Sequence, residues 1–128
     1  MVAKVLVVED HAFNLLLVRL LLERAGYTVL AAKTAEEGIE IARREAPELI
    51  LMDISLPGMS GLEATRILKS EPGTREICIV GLSAYAMKAD AERALAAGCD
   101  GYVTKPIDTR TFPQYLTGLL ETFRHRGE

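Results

Sequence analysis

The sequence is poor in cysteine and contains no tryptophan. Its two cysteines, Cys78 and Cys99, lie far apart and show neither a CxxC spacing nor a neighbouring histidine. These absences argue against a cysteine-based metal site and against a disulfide framework. We therefore expect two reduced thiols that pack inside the protein.

Long hydrophobic runs and an excess of basic charge are also absent. Arg19 interrupts the longest apolar run, LLLVRLLL, well before membrane-spanning length, and the N-terminus has no signal-peptide pattern. We therefore expect a soluble, cytoplasmic protein with no membrane insertion.

The net charge of -3 argues against direct contact with nucleic acid. Neither a GxGxxG fingerprint nor a GxxxxGK[ST] loop occurs, which disfavours dinucleotide and ATP or GTP binding.

The chain of 128 residues, with 49% hydrophobic and 26% charged residues, has the composition of one globular domain. Short apolar runs alternate with longer amphipathic segments. Strands are predicted near residues 4–8, 28–31, 49–52, 77–82 and 101–104, and helices near 13–25, 35–45, 59–69, 86–97 and 111–124. Runs such as VLVV and LILM are typical of parallel strands covered on both faces. We predict an α/β fold with an open, doubly wound sheet of five parallel strands and a ligand crevice at their carboxyl ends.

Acidic residues stand at the ends of two predicted strands. Glu9 and Asp10 follow VLVV, and Asp53 follows LILM. Carboxylates gathered at one sheet edge repel one another unless a proton or a cation neutralises them. Oxygen ligands favour a hard ion such as Mg2+, which leaves room for phosphate oxygens. The sequence therefore predicts a magnesium site that handles phosphate.

Two further strand ends carry groups that suit phosphate. Ser83 supplies a hydroxyl donor and Lys105 an ammonium, and Pro106 is a candidate for a cis peptide bond. Taken singly, each polar residue has a simpler explanation, because an acid or a serine can cap a helix or open a turn and a lysine can be a surface charge. Their joint placement at four strand ends favours phosphoryl chemistry.

The motifs VLVVED, LILMDISLPGMSGLE, GLSAYAMK and GCDGYVTKPI occur in this order and resemble those of response-regulator receiver domains. The resemblance covers essentially the whole length of the chain. The sequence is most similar to DivK-like single-domain regulators and to receivers of hybrid histidine kinases. It implies a flavodoxin-like (βα)5 fold with strand order 2-1-3-4-5. It also implies a protein of a two-component phosphorelay, either stand-alone or a receiver module derived from a hybrid histidine kinase.

Carried over by position, the resemblance makes Asp53 the acceptor that attacks a phosphohistidine and becomes an aspartyl phosphate. The implied Mg2+ ligands are Glu9, Asp10, Asp53 and the main-chain carbonyl of Ser55. Lys105 and the Ser83 hydroxyl would neutralise the phosphoryl oxygens. Such a protein assists its own phosphorylation and dephosphorylation only, so we expect it not to be an enzyme.

The resemblance also implies a switch. Ser83 moves toward the phosphoryl group and Tyr102 turns inward, so that helix 4, strand 5 and helix 5 present a changed protein-binding surface. The implied partners are a histidine kinase or histidine phosphotransfer protein and a downstream protein effector. We expect one receiver domain over residues 1–128 and no output domain.

The first predicted helix has more leucine than one buried face needs. If Leu17, Val18, Leu21, Leu22 and Ala25 face inward, then Leu15, Leu16 and Leu20 face solvent. Such a patch often marks a partner surface, here for the helices of a kinase or phosphotransfer protein beside Asp53. The alternative is that neighbouring side chains cover it.

Two other functions fit a similar fold. A flavodoxin-type FMN module needs a hydroxyl- and glycine-rich phosphate loop after the first strand, where Glu9 and Asp10 would repel phosphate. An aspartate-nucleophile phosphatase expects a second aspartate two residues after its nucleophile, and Ser55 stands there. A third possibility is an interaction module that is never phosphorylated.

Overall fold

The computed structural model describes residues 3–84 and 88–125, in which strands and helices alternate. The strands are β1 (Lys4–Val8), β2 (Thr28–Ala32), β3 (Leu49–Asp53), β4 (Cys78–Ser83) and β5 (Gly101–Thr104). The helices are α1 (Ala12–Arg24), α2 (Ala35–Glu45), α3 (Gly61–Ser70), α4 (Lys88–Ala97) and α5 (Phe112–His125). Every predicted element is present, with ends shifted by two residues at most. The predicted start of the fourth helix at residue 86 lies outside the described residues.

The strands form one parallel sheet in the order β2-β1-β3-β4-β5, which confirms the predicted flavodoxin-like topology. In β1, Val7 pairs with Ala31 of β2 on one side and with Leu51 of β3 on the other. The chain therefore leaves β1 in one direction and later returns on its opposite side. At such a switch point the loops after β1 and β3 diverge and leave an open crevice.

Side chains on the two faces of the sheet form two separate hydrophobic clusters. Leu6 and Ile50 pack with buried residues of α2, α3 and α4, whereas Val7 and Leu51 pack with those of α1 and α5. Successive residues of a strand point to opposite faces, so an unbroken apolar run supplies both clusters. This is the physical reason why VLVV and LILM predicted parallel strands covered on both sides.

The inward face of α1 differs from the predicted one. Val18 and Leu22 are buried as predicted, but Leu15 is half-buried and packs with the same cluster. Residues 15, 18 and 22 share one helix face through their i, i+3, i+7 spacing. Ala25 is exposed because it is the C-cap residue, beyond the last turn of α1. The prediction that Leu15 faces solvent and Ala25 faces the core is therefore wrong.

The outer face of α1 carries Leu16 and Leu20, as predicted, and also Phe13. These three side chains, which we call the α1 stripe, follow one another at i, i+3 and i+7 and are 54–67% exposed. The alternative that neighbouring side chains cover this surface therefore applies to Leu15 and not to the stripe. Although α1 is rich in leucine, no helix within the described ranges is long and apolar enough to cross a membrane.

Candidate functional site

Three carboxylates meet in the crevice at the carboxyl ends of β1 and β3. Glu9 and Asp10 follow β1, and Asp53 is the last residue of β3. Each offers a carboxylate oxygen within 4.8 Å of the others. Glu9 and Asp53 are buried, whereas Asp10 is exposed. The structure therefore brings together the acids that the sequence placed at this edge.

The end of β3 holds the Asp53 carboxylate in one orientation. Its Oδ1 accepts the main-chain N–H of Ser55 at 2.9 Å, and its Oδ2 accepts from Lys105 Nζ at 3.0 Å. The main chain continues its pairing with β4 through a bond from the Ile54 N–H to the Leu82 carbonyl at 2.9 Å. Both oxygens of Asp53 are thus engaged while the residue is only 3% exposed. The metal-ligand role of the Ser55 carbonyl stays a prediction.

Lys105 brings a positive charge to these acids. Its Nζ lies 2.7 Å from Glu9 Oε1 and 3.0 Å from Asp53 Oδ2. Burial lowers the pKa of the Lys105 ammonium, but the contacts with Glu9 and Asp53 outweigh burial and raise this pKa above its ordinary value of 10.5. The lysine is therefore charged at neutral pH. The peptide bond between Lys105 and Pro106 is cis, as the sequence suggested.

Glu9 is 1% exposed. Its Oε2 accepts the main-chain N–H of His11 at 3.2 Å. Its Oε1 makes the ionic contact with Lys105 but has no well-directed hydrogen bond among the described residues. Burial and then the neighbouring Asp53 raise the pKa of the Glu9 carboxyl above its ordinary value of 4.5, and Lys105 opposes that rise. One ammonium therefore balances this group of acids incompletely.

A hard divalent cation suits this arrangement. The three acids offer only oxygen atoms, which Mg2+ prefers, and Glu9 Oε1 lacks a directed partner among the described residues. Burial and then the neighbouring Asp53 raise the pKa of Glu9, and a cation would oppose both by stabilising the charged carboxylate. Asp10 lies on the exposed side of the site, so water and phosphate oxygens can approach from there. The donor set therefore fits Mg2+.

Ser83 ends β4 beside these groups and is buried. Its main-chain carbonyl accepts the N–H of Lys105 at 2.7 Å. In the sheet register, Ser83 pairs with Thr104, and the preceding Leu82 pairs with Asp53. Ser83 therefore lies between the strand ends that carry Asp53 and Lys105.

Tyr102 lies farther along the edge strand. It pairs with Gly81, and its half-buried side chain packs against the cluster under α2, α3 and α4. Its main-chain N–H donates to Tyr115 Oη at 3.4 Å. The switch motion of Tyr102 and Ser83 involves a second conformation and stays a prediction.

Gly61, the first residue of α3, is a part of the site that sequence reasoning missed. A Cβ built on it would lie 2.2 Å from the carbonyl oxygen of Asp53. The sequence does contain a signal for a helix start, because Ser60 is followed three residues later by Glu63, whose main-chain N–H donates to Ser60 Oγ. That signal cannot reveal that this helix start presses against Asp53, because the contact is tertiary.

Comparisons with known proteins agree with this geometry. A family profile described as "Response regulator receiver domain" matches residues 5–117. The polar-differentiation response regulator DivK of Brucella ovis is 40% identical over 120 residues, which span 94% of this chain and 98% of that protein. A single domain over all 128 residues stays a prediction.

Solved structures of similar chains share the fold. A CheY-like receiver domain protein from Methanospirillum hungatei is 28% identical, has a TM-score of 0.89, and is matched over 98% of this chain and 99% of that one. The receiver domain of a sensor histidine kinase from Pseudomonas aeruginosa is 29% identical, has a TM-score of 0.87, and is matched over 94% of this chain and 99% of that one. That structure holds a magnesium ion coordinated in its active-site cleft.

Proposed function

Because this chain belongs to the response-regulator receiver domains of two-component signalling, we propose that Asp53 accepts a phosphoryl group from the phosphohistidine of a histidine kinase or histidine phosphotransfer protein. The observation that carries the proposal is the contact of Lys105 Nζ with Asp53 Oδ2 at 3.0 Å, beside two further acids. Phosphoryl transfer depends mainly on positioning and electrostatic stabilisation. This site supplies a fixed nucleophile and a fixed positive charge.

In the proposed transfer, a carboxylate oxygen of Asp53 attacks the phosphorus. A P–O bond forms while the P–N bond breaks, and the donor's imidazole nitrogen keeps the electron pair and takes up a proton. Lys105 and the Ser83 hydroxyl donate hydrogen bonds to the phosphoryl oxygens, where negative charge is concentrated. Asp53 therefore acts as a nucleophile and not as a base.

Receiver domains generally bind Mg2+ in an acidic pocket. In this chain the ion would be held by Glu9, Asp10, Asp53 and the main-chain carbonyl of Ser55. When bound, Mg2+ neutralises charge on the carboxylates and the phosphoryl oxygens. Lys105 then remains the residue that faces Asp53 from the β5 side.

Treatment with acetyl phosphate and Mg2+ tests the acceptor. Intact-protein mass spectrometry is expected to show a gain of one phosphoryl group that hydroxylamine removes, and Asp53→Asn is expected to show none. Asp108→Asn is the matched control, because Asp108 is an exposed acid beyond β5. An unmodified wild type, or equal labelling of Asp53→Asn, would refute the assignment.

We propose that the chain does not turn over outside substrates. An aspartate-nucleophile phosphatase needs an acid two residues after its nucleophile, and Ser55 offers only a hydroxyl at that position. Release of inorganic phosphate from several phosphate monoesters, with many turnovers per protein molecule, would instead favour a phosphatase. Saturation at one phosphoryl group per chain supports the receiver function.

We also propose that the α1 stripe docks a helix of the phosphodonor. Phe13 begins the stripe three residues after Asp10, so a helix lying along α1 can carry its phosphohistidine to Asp53. The spacing of the stripe, i, i+3 and i+7, matches the way in which two helices pack. An exposed apolar surface of this kind is typical of a partner site.

Comparing two phosphodonors tests this docking site. Leu16→Ser and Leu20→Ser are expected to slow transfer from a purified, phosphorylated histidine phosphotransfer domain and to leave labelling by acetyl phosphate unchanged. Leu95→Ser in α4 is the matched control, because Leu95 is similarly exposed at 55%. Equal slowing with both donors would contradict docking at the stripe.

The proposed output is a change in the surface formed by α4, β5 and α5. A phosphoryl group on Asp53 would draw Ser83 toward it, and Tyr102 would fill the space that Ser83 vacates. Amide chemical shifts of β5 and α5 are expected to change on addition of beryllofluoride and Mg2+, and not in Asp53→Asn. The altered surface would bind a downstream protein in the cytoplasm, without direct contact with nucleic acid.

A further inference from the structure

The start of α3 lies directly behind the reacting carboxylate. A Cβ on Gly61 would be 2.2 Å from the carbonyl oxygen of Asp53 and 2.8 Å from the Cα of Ile54. Real Cβ atoms essentially never approach other heavy atoms to less than 3.0 Å. Both neighbours are main-chain atoms, which cannot rotate away as a side chain can. Only glycine therefore allows α3 to approach this segment so closely.

Hydrogen bonds hold both sides of this contact. On the helix side, the hydroxyl of the buried Thr65 donates to the carbonyl of Gly61 at 2.8 Å. On the strand side, the N–H of Ile54 is bonded to the Leu82 carbonyl in β4. A methyl group at position 61 must therefore displace either the first turn of α3 or the segment that carries Asp53.

We propose that Gly61 is a positioning residue, whose lack of a side chain lets the first turn of α3 set the place of Asp53 relative to Lys105. The inference rests on the proposed phosphoacceptor function. To restore ordinary contact, a methyl group must move its neighbours apart by about 1 Å. A misplacement of about this size can reduce a reaction rate about 100-fold. The same shift changes the position of Asp53 relative to Glu9 and Asp10 and weakens a shared metal site.

The Gly61→Ala variant tests this proposal against the matched variant Gly73→Ala. A Cβ on Gly73 would meet no atom of the described residues within 4 Å. The first readout is the phosphorylation rate at saturating acetyl phosphate and Mg2+, which is expected to fall about 100-fold in Gly61→Ala and to stay unchanged in Gly73→Ala. The second readout is the Mg2+ dissociation constant, measured by titration without any phosphodonor. It is expected to rise in Gly61→Ala only.

A remote variant separates positioning from loss of stability. Ile39→Val removes a methylene from the core beneath α2 and is expected to lower the melting temperature while the folded protein keeps its rate and Mg2+ affinity. If Gly61→Ala fails to fold, Thr65→Val replaces it, because it removes the hydroxyl bond to the Gly61 carbonyl. A smaller decrease in the same rate is then expected.

The outcomes distinguish this inference from the proposed function. A wild type that acetyl phosphate does not label refutes the function, and the Mg2+ titration still tests Gly61. A labelled wild type whose rate and Mg2+ affinity are matched by Gly61→Ala overturns the positioning role. If the replacement variant is needed, a wild-type rate in Thr65→Val overturns it equally.

Discussion

Gly118 stands inside α5 with open space beside it. A Cβ at this position would contact nothing within 4 Å in the part of the chain that the structure describes, and the residue does not have a positive φ. Glycine inside a helix is less stable than alanine by about 0.5–1 kcal/mol. Gly118→Ala is therefore expected to raise the free energy of unfolding by about that amount, measured by urea denaturation with circular dichroism.

Gly101 gives the matched opposite case. A Cβ there would lie 2.6 Å from Tyr115 Oη and 2.8 Å from Leu119 Cδ2. Both atoms are the far ends of side chains and can move, but a shift of Tyr115 gives up its hydrogen bond from the Tyr102 N–H, so Gly101→Ala is expected to lower the free energy of unfolding by less than about 1 kcal/mol. A loss of stability in Gly118→Ala, or a gain in Gly101→Ala, would contradict the packing described for α5.

The burial of Cys99 predicts that the free energy of unfolding depends on pH in the alkaline range. The residue is 5% exposed, and burial raises the pKa of its thiol above the ordinary value of 9.0. The folded protein therefore holds the thiol proton more tightly than the unfolded chain does. This contribution to stability is complete below pH 9.0 and is lost as the pH rises through the folded-state pKa.

Urea unfolding on both sides of pH 9.0 checks this linkage. The free energy of unfolding is expected to decrease above that pH, and the decrease is expected to be smaller in Cys99→Ala. Other groups titrate in the same range, so the difference between the two proteins isolates the thiol. Identical pH profiles would show that Cys99 makes no such contribution.

The polar site residues were predictable from sequence because each stands at the end of an apolar run. Parallel strands bring their carboxyl ends to one edge, so Glu9, Asp53 and Lys105 were expected at that edge. The distances and the deep burial of Glu9 were not predictable, because they depend on how neighbouring strands are paired. The role of Gly61 was not predictable, because the contact that requires glycine is with a main-chain carbonyl of another element.

At the scale of elements, Lys69 near the end of α3 joins several parts of the fold. Its Nζ donates to Asp100 Oδ2 at 2.9 Å and to the Ile77 carbonyl at 2.7 Å. It also lies 5.4 Å from the centroid of the Phe123 ring in α5. Asp100 Oδ2 in turn accepts the N–H of Ile79 in β4 at 2.9 Å. One ammonium thus connects α3, β4, α5 and the residue that precedes β5.

Lys69→Met is expected to lower the free energy of unfolding by about 2–3 kcal/mol, because it leaves the Asp100 carboxylate largely buried without its counter-charge. The expected loss is smaller than for a fully buried pair because the two side chains remain 18% and 14% exposed. Lys4→Met is the control, because the Lys4 and Glu45 side chains are 47% and 33% exposed. That variant is expected to lose less than about 1 kcal/mol in urea denaturation. Equal losses would contradict this role for Lys69.

The first helix shows why pattern alone did not set its buried face. The run LLLVRLLL places apolar residues on nearly every side, so a period of 3.6 residues does not select one face. Packing against β2 and the neighbouring cluster selects Leu15, Val18 and Leu22. Phe13, Leu16 and Leu20 remain exposed as the α1 stripe, whereas Leu17 and Leu21 are half-buried. Helices with one clear apolar face carry no such ambiguity, as in α2, where Ile39 and Ala42 are buried.

At the scale of the whole molecule, the alternation of strands and helices sufficed to predict a parallel α/β fold. Apolar runs gave strands covered on both sides, and the lengths of the connections allowed a helix between each pair. The strand order came from the resemblance to receiver domains, because composition and periodicity do not determine on which side of β1 each later strand is added. The sheet confirms that order.

The sheet separates the two hydrophobic clusters. No strand belongs to one cluster alone, because each strand sends alternate residues to both faces. Leu68 lies in the cluster under α3, and Leu116 lies in the cluster under α5. Leu68→Ala and Leu116→Ala are each expected to lower the free energy of unfolding by about 2–5 kcal/mol. The two losses should add, because the side chains lie on opposite faces and share no contact surface.

Both variants are expected to unfold in one transition, with coincident fluorescence and circular dichroism curves. Two separate transitions would mean that one face melts while the other stays folded, which the shared strands should prevent.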